Sequence, residues 1–209
     1  MEYKYYSQVG QDKWVSEFFN FKRDGYFLDV GAADGITISN TYFLEKELGW
    51  EGLCVEALKV NYDKLITNRT CTCVHNAAYN KNQTVYFWGD GNDNLGGHIA
   101  NKDNYTESVE AIRLEDLLEK YNAPKVIDYV SLDIEGNEVE ALLGFPFDKH
   151  EVILWTIEHN LHGGFNGRIL KANIMNIMKK KGYKILVENV GTSPFYPMED
   201  WYVLEKYAK

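Results

Sequence analysis

The sequence has 209 residues, enough for one well-filled hydrophobic core, and we predict a single domain over residues 1–209. A hydrophobic fraction of 45% is typical of a globular chain, and the net charge of −9 disfavours a nucleic-acid partner because acidic surfaces repel phosphate backbones. No stretch approaches the roughly 20 apolar residues of a membrane span, and the polar segment 1–11 lacks a signal-peptide core. We therefore expect a cytoplasmic protein without a membrane partner, and the oligomeric state stays open.

Short apolar runs alternate with segments of helical periodicity along most of the chain. The first 24 residues are interpreted as an N-terminal helical segment, because apolar residues recur there at helical spacing. Strands are predicted at 26–30, 52–56, 71–77, 84–88, 126–132, 152–157, 183–187 and 201–204. Helices are predicted at 40–48, 61–66, 114–121, 137–143 and 169–181.

A segment at about 83–113 interrupts this alternation. Residues 89–108 contain many Gly, Asn and Asp and show no clear period, so they are predicted to form a long loop. Long loops in compact domains are often functional, and we interpret the insertion as a lid over the acceptor. The loop residues expected to cover or select the acceptor are Asn94, Gly96, Gly97, His98 and Tyr105.

Strands that alternate with helices predict an α/β protein with a parallel, doubly wound sheet and helices on both faces. The last two predicted strands are separated only by residues 188–200, which contain Pro194 and Pro197. This connection is too short for a well-formed crossover helix. The last strand is therefore expected to be antiparallel and to lie beside its predecessor.

A glycine-bearing loop follows the first predicted strand, at the edge where open α/β sheets bind ligands. Gly31 and Gly35 permit unusual torsions and a close approach of the backbone to a ligand. The spacing excludes the dinucleotide pattern Gly-x-Gly-x-x-Gly, whose second glycine would fall at Ala33. Asp29 and Asp34 would repel a pyrophosphate, but they suit a ligand with a cationic centre such as S-adenosylmethionine. An ordinary strand-to-helix turn is the alternative.

The next two strands end in residues that suit a nucleoside. Glu56 follows the glycine-bearing loop at the distance where a carboxylate accepts both hydroxyls of a ribose. A surface glutamate is the alternative. The third strand ends in Asn76 and Ala77, and their small side chains would leave room for an adenine ring.

The fourth and fifth predicted strands end in acidic residues and a histidine. Asp133 and Glu135 lie two residues apart, so they are expected to point to the same side, where close carboxylates bind a cation or raise one another's pKa. A role for Glu135 in capping the next helix is the alternative. A divalent cation such as Mg would find oxygen and imidazole ligands at Asp133, Glu158 and His159. These four residues are the predicted catalytic residues, and the predicted metal ligands are Asp133, Glu158 and His159.

Taken together, these motifs resemble those of the FkbM family of class I S-adenosylmethionine-dependent methyltransferases, over nearly the whole chain. The resembling segments are S-Q-V-G-Q-D at 7–12, F-L-D-V-G-A-A-D-G at 27–35, S-N-T at 39–41 with Leu44 and Glu45, W-E-G-L-C-V-E at 50–56, and D-I-E-G at 133–136 with Glu138. The resemblance implies a Rossmann-like, seven-stranded, mostly parallel sheet. It also implies methyl transfer to hydroxyl groups of sugars, glycans or macrolide-type natural products.

The resemblance further implies that Asp29, Gly31 and Gly35 hold the methionine part of the cofactor and that Glu56 holds its ribose. The complete predicted cofactor site, which would release S-adenosylhomocysteine as product, is Asp29, Gly31, Ala32, Asp34, Gly35, Ser39, Asn40, Glu56, Ala57, Asn76, Ala77 and Asp133. More distantly, the chain is similar to metal-dependent sugar O-methyltransferases. Those enzymes carry an acidic pair after the fifth strand, where this chain has Glu158-His159.

We therefore expect an O-methyltransferase that acts on a hydroxyl of a sugar or glycan, with Asp133 or His159 as the base. A non-sugar natural-product hydroxyl is the alternative acceptor. Methylation of nucleic acid or protein, nicotinamide-dependent oxidation and a cofactor-binding scaffold without turnover are the rival functions.

Overall fold

The computed structural model describes residues 3–88, 98, 99, 105 and 107–208. Its strands are β1 (Tyr26–Val30), β2 (Glu51–Glu56), β3 (Thr72–His75), β4 (Ala77–Ala78), β5 (Gln83–Trp88), β6 (His98–Ile99), β7 (Glu107–Ile112), β8 (Val126–Leu132), β9 (Glu151–Glu158), β10 (Tyr183–Ser193) and β11 (Tyr196–Leu204). Its helices are α1 (Gln11–Phe18), α2 (Tyr42–Leu48), α3 (Lys59–Asn68), α4 (Leu114–Lys120), α5 (Glu138–Leu143) and α6 (Phe165–Lys180). Two short 3₁₀ turns cover Leu161–Gly163 and Glu205–Tyr207.

Seven strands form one sheet in the order β10-β11-β9-β8-β1-β2-β3. The five strands from β9 to β3 pair in parallel, whereas β11 lies between β10 and β9 and is antiparallel to both. The predicted mostly parallel sheet with an antiparallel last strand is therefore confirmed. The hairpin turns at Pro194 and Phe195 alone, because β10 and β11 extend well beyond their predicted ends.

Both faces of this sheet are buried, because successive side chains of a strand point to opposite faces. In β1, Leu28 packs in the apolar cluster that includes residues of α4, α5 and α6, and Phe27 packs in the cluster that includes residues of α1 and α2. Both side chains are fully buried, and each such burial contributes about 1.5–3 kcal/mol. The prediction of helices on both faces is confirmed.

The insertion after β3 forms a second sheet in the order β4-β7-β5-β6. The strand predicted at 71–77 is divided, because β3 pairs with β2 whereas β4 pairs with β7. The prediction of a long loop over 89–108 is wrong at β6 and at its end, where β7 begins. In β7, buried Val109 and Ala111 alternate with exposed residues. Asn94, Gly96 and Gly97 of the predicted lid lie outside the described residues.

The first helix begins at Gln11, later than the sequence suggests, because the preceding residues form a turn. The Asp12 carboxylate accepts hydrogen bonds from the backbone N–H groups of Tyr6, at 2.6 Å, and Ser7, at 3.2 Å. Gly10 takes a φ of 94° within this turn. Across the described ranges of the chain, none of the helices is long and apolar enough to cross a membrane.

Candidate active site

The glycine-bearing loop lies directly against the end of β8. At Gly31, where φ is 91°, an added Cβ would lie 1.7 Å from the carbonyl oxygen of Asp133. At Gly35, where φ is 81°, an added Cβ would lie 2.6 Å from the side chain of Leu65 and 2.8 Å from that of Arg69. Glycine is therefore required at both positions, for its backbone torsion and for the close packing of the loop.

A first cavity opens at the carboxyl ends of β1, β2 and β8. Val55, Leu58 and Phe87 give its wall an apolar part that suits the faces of a flat ring. The predicted cofactor residues that line it are Gly31, Glu56, Ala57, Asn76, Ala77 and Asp133. The structure thus places these six predicted residues around one concave surface.

The Glu56 carboxylate fixes the floor of the first cavity. One of its oxygens accepts the backbone N–H of Ala33 at 2.8 Å, and the other accepts that of Leu58 at 2.7 Å. Burial raises the pKa of Glu56 to about 7. Each carboxylate oxygen has a second lone pair, so the group that shapes the loop can also accept hydroxyl groups from a ligand in the cavity.

A second cavity adjoins the first and shares Gly31, Ala33, Asp133 and Glu135 with it. The predicted residues that line this cavity are Asp29, Gly31, Ala32, Ser39, Asn40, Asp133, Glu135 and Glu158. Gln8 and Met198 also line it and were not predicted as site residues. Gln8 does lie within the segment S-Q-V-G-Q-D, so a sequence signal existed for it, whereas none marks Met198.

Three carboxyl groups converge in the second cavity. Asp133, Glu135 and Glu158 each place an oxygen within 4.8 Å of the oxygens of the other two. Glu158 is only 4% exposed, and its Oε2 is buried without a hydrogen-bond partner among the described residues. Burial and the neighbouring Asp133 raise the pKa of Glu158, and burial also raises that of Asp133. Such a pair holds a proton between its members at neutral pH unless a cation replaces it.

Glu138 holds the loop that carries this cluster. Its Oε1 accepts hydrogen bonds from the backbone N–H groups of Ile134, at 3.0 Å, and Gly136, at 3.1 Å. Burial raises the pKa of Glu138 to about 7. Glu138 thus satisfies the backbone donors before α5. Glu135, which was considered as a helix cap, takes a φ of 58° and lines both cavities instead.

His159 lies apart from the other predicted catalytic residues, because adjacent residues at a strand end point to opposite sides. Its side chain is fully buried, with Nε2 3.4 Å from the Asp200 carboxylate. Its Nδ1 accepts the backbone N–H of Leu161 at 3.2 Å. In the described part of the chain His159 lines neither cavity. The geometric group that could hold a metal contains Glu135 in place of His159.

Asp34 and Gly35 shape the loop without lining either cavity, as the structure describes them. The Asp34 carboxylate accepts the backbone N–H groups of Ile36, at 2.9 Å, and Thr37, at 2.7 Å. These hydrogen bonds hold the pKa of Asp34 below its usual value. In the structure Asp34 therefore stabilises the turn, whereas the sequence predicts that it contacts the cofactor.

Arg69 is a buried residue of the site that sequence reasoning missed, because it follows α3 outside any motif. Its guanidinium donates to Thr41 Oγ1 at 2.9 Å, to the carbonyl oxygen of Gly35 at 3.3 Å and to Ser39 Oγ at 3.5 Å. It also forms a short ion pair with Glu45. Arg69 therefore connects the glycine-bearing loop with the start of α2.

Asp29 shares this buried network. Its Oδ2 accepts the hydroxyl of Thr41 at 2.6 Å and lies 4.0 Å from the Arg69 guanidinium. Burial raises the pKa of Asp29, and the charge of Arg69 acts in the opposite direction. Asp29 lines the second cavity, so the same carboxylate faces the network and the ligand space.

The sequence from residue 29 to residue 185 matches the family profile described as "Methyltransferase FkbM domain". Among solved structures, the chain is similar to the methyltransferase FkbM from Methylobacillus flagellatus KT, with a TM-score of 0.57 and 14% identity. That similarity covers 86% of this chain and 43% of the other, so this chain spans less than half the length of that protein.

Two further solved structures have similar folds. The O-methyltransferase from Bacillus cereus in complex with S-adenosylhomocysteine has a TM-score of 0.57 and 12% identity, and the match covers 94% of this chain and 81% of the other. A TehB-like S-adenosylmethionine-dependent methyltransferase from Corynebacterium glutamicum ATCC 13032 Kitasato has a TM-score of 0.53 and 8% identity, over 94% and 89% of the two chains. Comparison with curated proteins finds no match. These similarities show the Rossmann-like fold of class I methyltransferases.

Proposed function

Because the chain belongs to the FkbM methyltransferase family, we propose that it transfers the methyl group of S-adenosylmethionine to a hydroxyl of a sugar or glycan. One observation carries the proposal of an oxygen acceptor. Asp133, Glu135 and Glu158 converge where two connected cavities meet. A hydroxyl group is a poor nucleophile, and a carboxylate at the reacting centre supplies the base that it needs.

The proposal gives the cofactor one direction across the two cavities. Its adenosine would occupy the first cavity, with the ribose hydroxyls donating to Glu56. Its methionine part would enter the second cavity beside Asp29, whose charge suits the ammonium group. The sulfonium would then lie near Gly31 and Asp133, which line both cavities, and its methyl group would point toward the carboxylate cluster.

The reaction is an in-line displacement. A bond forms between the acceptor oxygen and the methyl carbon while the bond between carbon and sulfur breaks. The electron pair of that bond moves to sulfur, so the positive sulfonium becomes the neutral sulfide of S-adenosylhomocysteine. The acceptor proton passes to the ionised member of the Asp133–Glu158 pair. Positioning of oxygen, carbon and sulfur supplies most of the rate.

A second version of this mechanism places a divalent cation at Asp133, Glu135 and Glu158. The Oε2 of Glu158 favours it, because this buried carboxylate oxygen has no donor in the described part of the chain and can accept a cation instead. Three carboxylates offer the hard oxygen ligands that Mg prefers. The bound ion would lower the pKa of the acceptor hydroxyl.

A polyhydroxylated acceptor is supported by the polar part of the second cavity. Gln8 and Asn40 line the cavity together with the carboxylates, and carboxamides can both donate to and accept from hydroxyl groups. Among the described residues, the buried Oδ1 of Asn40 has no hydrogen-bond donor, and a more apolar natural-product alcohol would leave it so, at a cost of about 1–3 kcal/mol.

Release of S-adenosylhomocysteine with a panel of free sugars and methyl glycosides tests this function. We expect turnover with at least one sugar and a loss of at least about a hundredfold in kcat for Asp133→Asn and Glu158→Gln, with cofactor affinity retained in Glu158→Gln. Glu119→Gln, an exposed change on α4, is the matched control. Turnover that survives both changes would remove the carboxylate base from the mechanism.

The same assay separates the remaining alternatives. If chelation with EDTA abolishes turnover and Mg restores it, the cation version applies. His159→Ala is expected to lower thermal stability more than turnover, because its imidazole holds the segment at Leu161. A selective loss of turnover would instead support the base role predicted for His159 from the sequence. Binding of cofactor without turnover of any alcohol would favour a scaffold.

A further inference from the structure

We infer that Arg69 is a positioning residue for the amino-acid end of S-adenosylmethionine and that it acts through the hydroxyl of Ser39. The inference rests on the proposed function, since it takes the methionine part to occupy the second cavity. Arg69 itself is 5% exposed and lines neither cavity in the described residues. Its effect on a ligand must therefore pass through Ser39, which does line the second cavity.

The Ser39 hydroxyl oxygen is surrounded by donors. It accepts the backbone N–H of Tyr42 at 3.1 Å and that of Thr41 at 3.3 Å, and the Arg69 guanidinium makes a longer contact at 3.5 Å. A hydroxyl oxygen has two lone pairs and one proton to donate. Three incoming donors surround its accepting side, which leaves its own proton for a group in the cavity that Ser39 lines. Such a hydroxyl recognises an acceptor group, and preferably an anion.

Arg69 is held rigidly enough to impose this orientation. Its guanidinium donates hydrogen bonds to Thr41 and Glu45 and lies 5.4 Å from the centre of the Phe27 ring. The ion pair with Arg69 holds the pKa of Glu45 at about 2, so both partners stay charged at neutral pH. A planar guanidinium can reach these several acceptors at once, whereas a lysine ammonium would act as a single point charge.

The resulting charge pattern matches a zwitterion. Asp29 presents a carboxylate to the second cavity, which suits the ammonium group of the cofactor. The Ser39 hydroxyl, polarised by Arg69, presents a proton that suits its carboxylate. Thr41 links the two, because its hydroxyl donates to Asp29 and accepts from Arg69. The network thus distinguishes the two charged groups on the same carbon atom of the cofactor.

Two ligands that differ only in the carboxylate test the inference. One is S-adenosylhomocysteine, and the other is its decarboxylated analogue, which retains the adenosine and the amine. Calorimetric titration gives the affinity of each ligand for wild type, Ser39→Ala, Arg69→Lys and the control Arg113→Met. Arg113 forms an exposed ion pair with Asp116 and lines neither cavity.

We expect Ser39→Ala and Arg69→Lys to lower the affinity for S-adenosylhomocysteine at least about tenfold and to change the affinity for the analogue less than about threefold. The control should leave both affinities unchanged. An equal loss for both ligands would mean a merely structural role, and unchanged affinities would remove any role. Ser39→Ala keeps the test valid if the arginine variant does not fold. Wild-type protein that binds neither ligand would overturn the inference and the proposed function together. If the wild type binds normally and the variants have the same ratio of the two ligand affinities as the wild type, the inference alone is overturned.

Discussion

Cofactor binding should depend on the protonation of Glu56. Burial raises the pKa of this carboxyl to about 7, and the ribose hydroxyls of the proposed cofactor would donate to its ionised form. Binding therefore lowers the pKa of Glu56, and affinity must rise as the pH increases through 7 and level off above it. At pH 6 about one tenth of Glu56 is ionised, so S-adenosylhomocysteine should bind about tenfold more weakly than at pH 8, which corresponds to roughly 1.4 kcal/mol.

Substitution of Glu56 by glutamine should remove this pH dependence and lower the affinity at pH 8. Glutamine has a single side-chain acceptor oxygen, so the backbone N–H of either Ala33 or Leu58 would lose the partner it has now. An unsatisfied buried donor costs about 1–3 kcal/mol, and part of this cost falls on the loop that forms the cavity. We expect affinity to fall by about tenfold to a hundredfold.

Calorimetric titration of S-adenosylhomocysteine at pH 6, 7 and 8 measures both effects. Glu51→Gln is the matched control, because Glu51 is an exposed residue at the opposite end of the same strand. A wild-type affinity that is equal at pH 6 and pH 8 would refute the reasoning. If the pH dependence persists in Glu56→Gln, it originates from another carboxyl, of which Glu138 is the first to examine, since its pKa is also raised to about 7.

Two further predictions concern the fold around the site. Gly31→Ala should abolish binding of S-adenosylhomocysteine and cost at least about 2 kcal/mol of stability in urea unfolding, because the added Cβ would overlap the Asp133 carbonyl. Gly163→Ala, where an added Cβ meets nothing within 4 Å, should be nearly neutral, and equal losses in both variants would contradict this reasoning. Burial raises the pKa of Glu199 to about 8, so the folded state retains a proton that the unfolded state releases above pH 4.5. Stability should therefore fall as the pH rises from 5 to 8, by at most about 1.4 kcal/mol per unit. Thermal unfolding across this range should show that the stability of Glu199→Gln falls less steeply with pH than that of the wild type. An equally steep fall would exclude Glu199 as its source.

Local sequence was sufficient to predict the bounds of a strand where the burial of apolar side chains dominated. The apolar runs at 26–30 and 126–132 have the same bounds as β1 and β8, because strands buried on both faces need continuous apolar residues. Helix starts were less well predicted. The turn formed by Asp12 delays α1 to Gln11, and α6 begins at Phe165, whose exposed side chain gives no periodic signal.

The second sheet was missed for a different reason. Strand β7 has the alternation of a half-buried strand, but its partner β5 lies on the other side of a segment without a period. Pairing between strands distant in the chain cannot be derived from either strand alone. The division of the predicted third strand into β3 and β4 has the same origin, since only the pairing assigns Ala77 to the second sheet.

The sequence by itself determined that a glycine-bearing loop, Glu56 and an acidic group would meet at the carboxyl edge of a parallel sheet. That result follows from chain order, because parallel strands present their carboxyl ends at one edge. Only the tertiary structure decided that Glu158 faces the second cavity while His159 turns to Asp200, and that Arg69 supports the loop of Gly35. Side-chain direction and contacts between distant segments depend on packing in three dimensions, and no spacing along the chain encodes them.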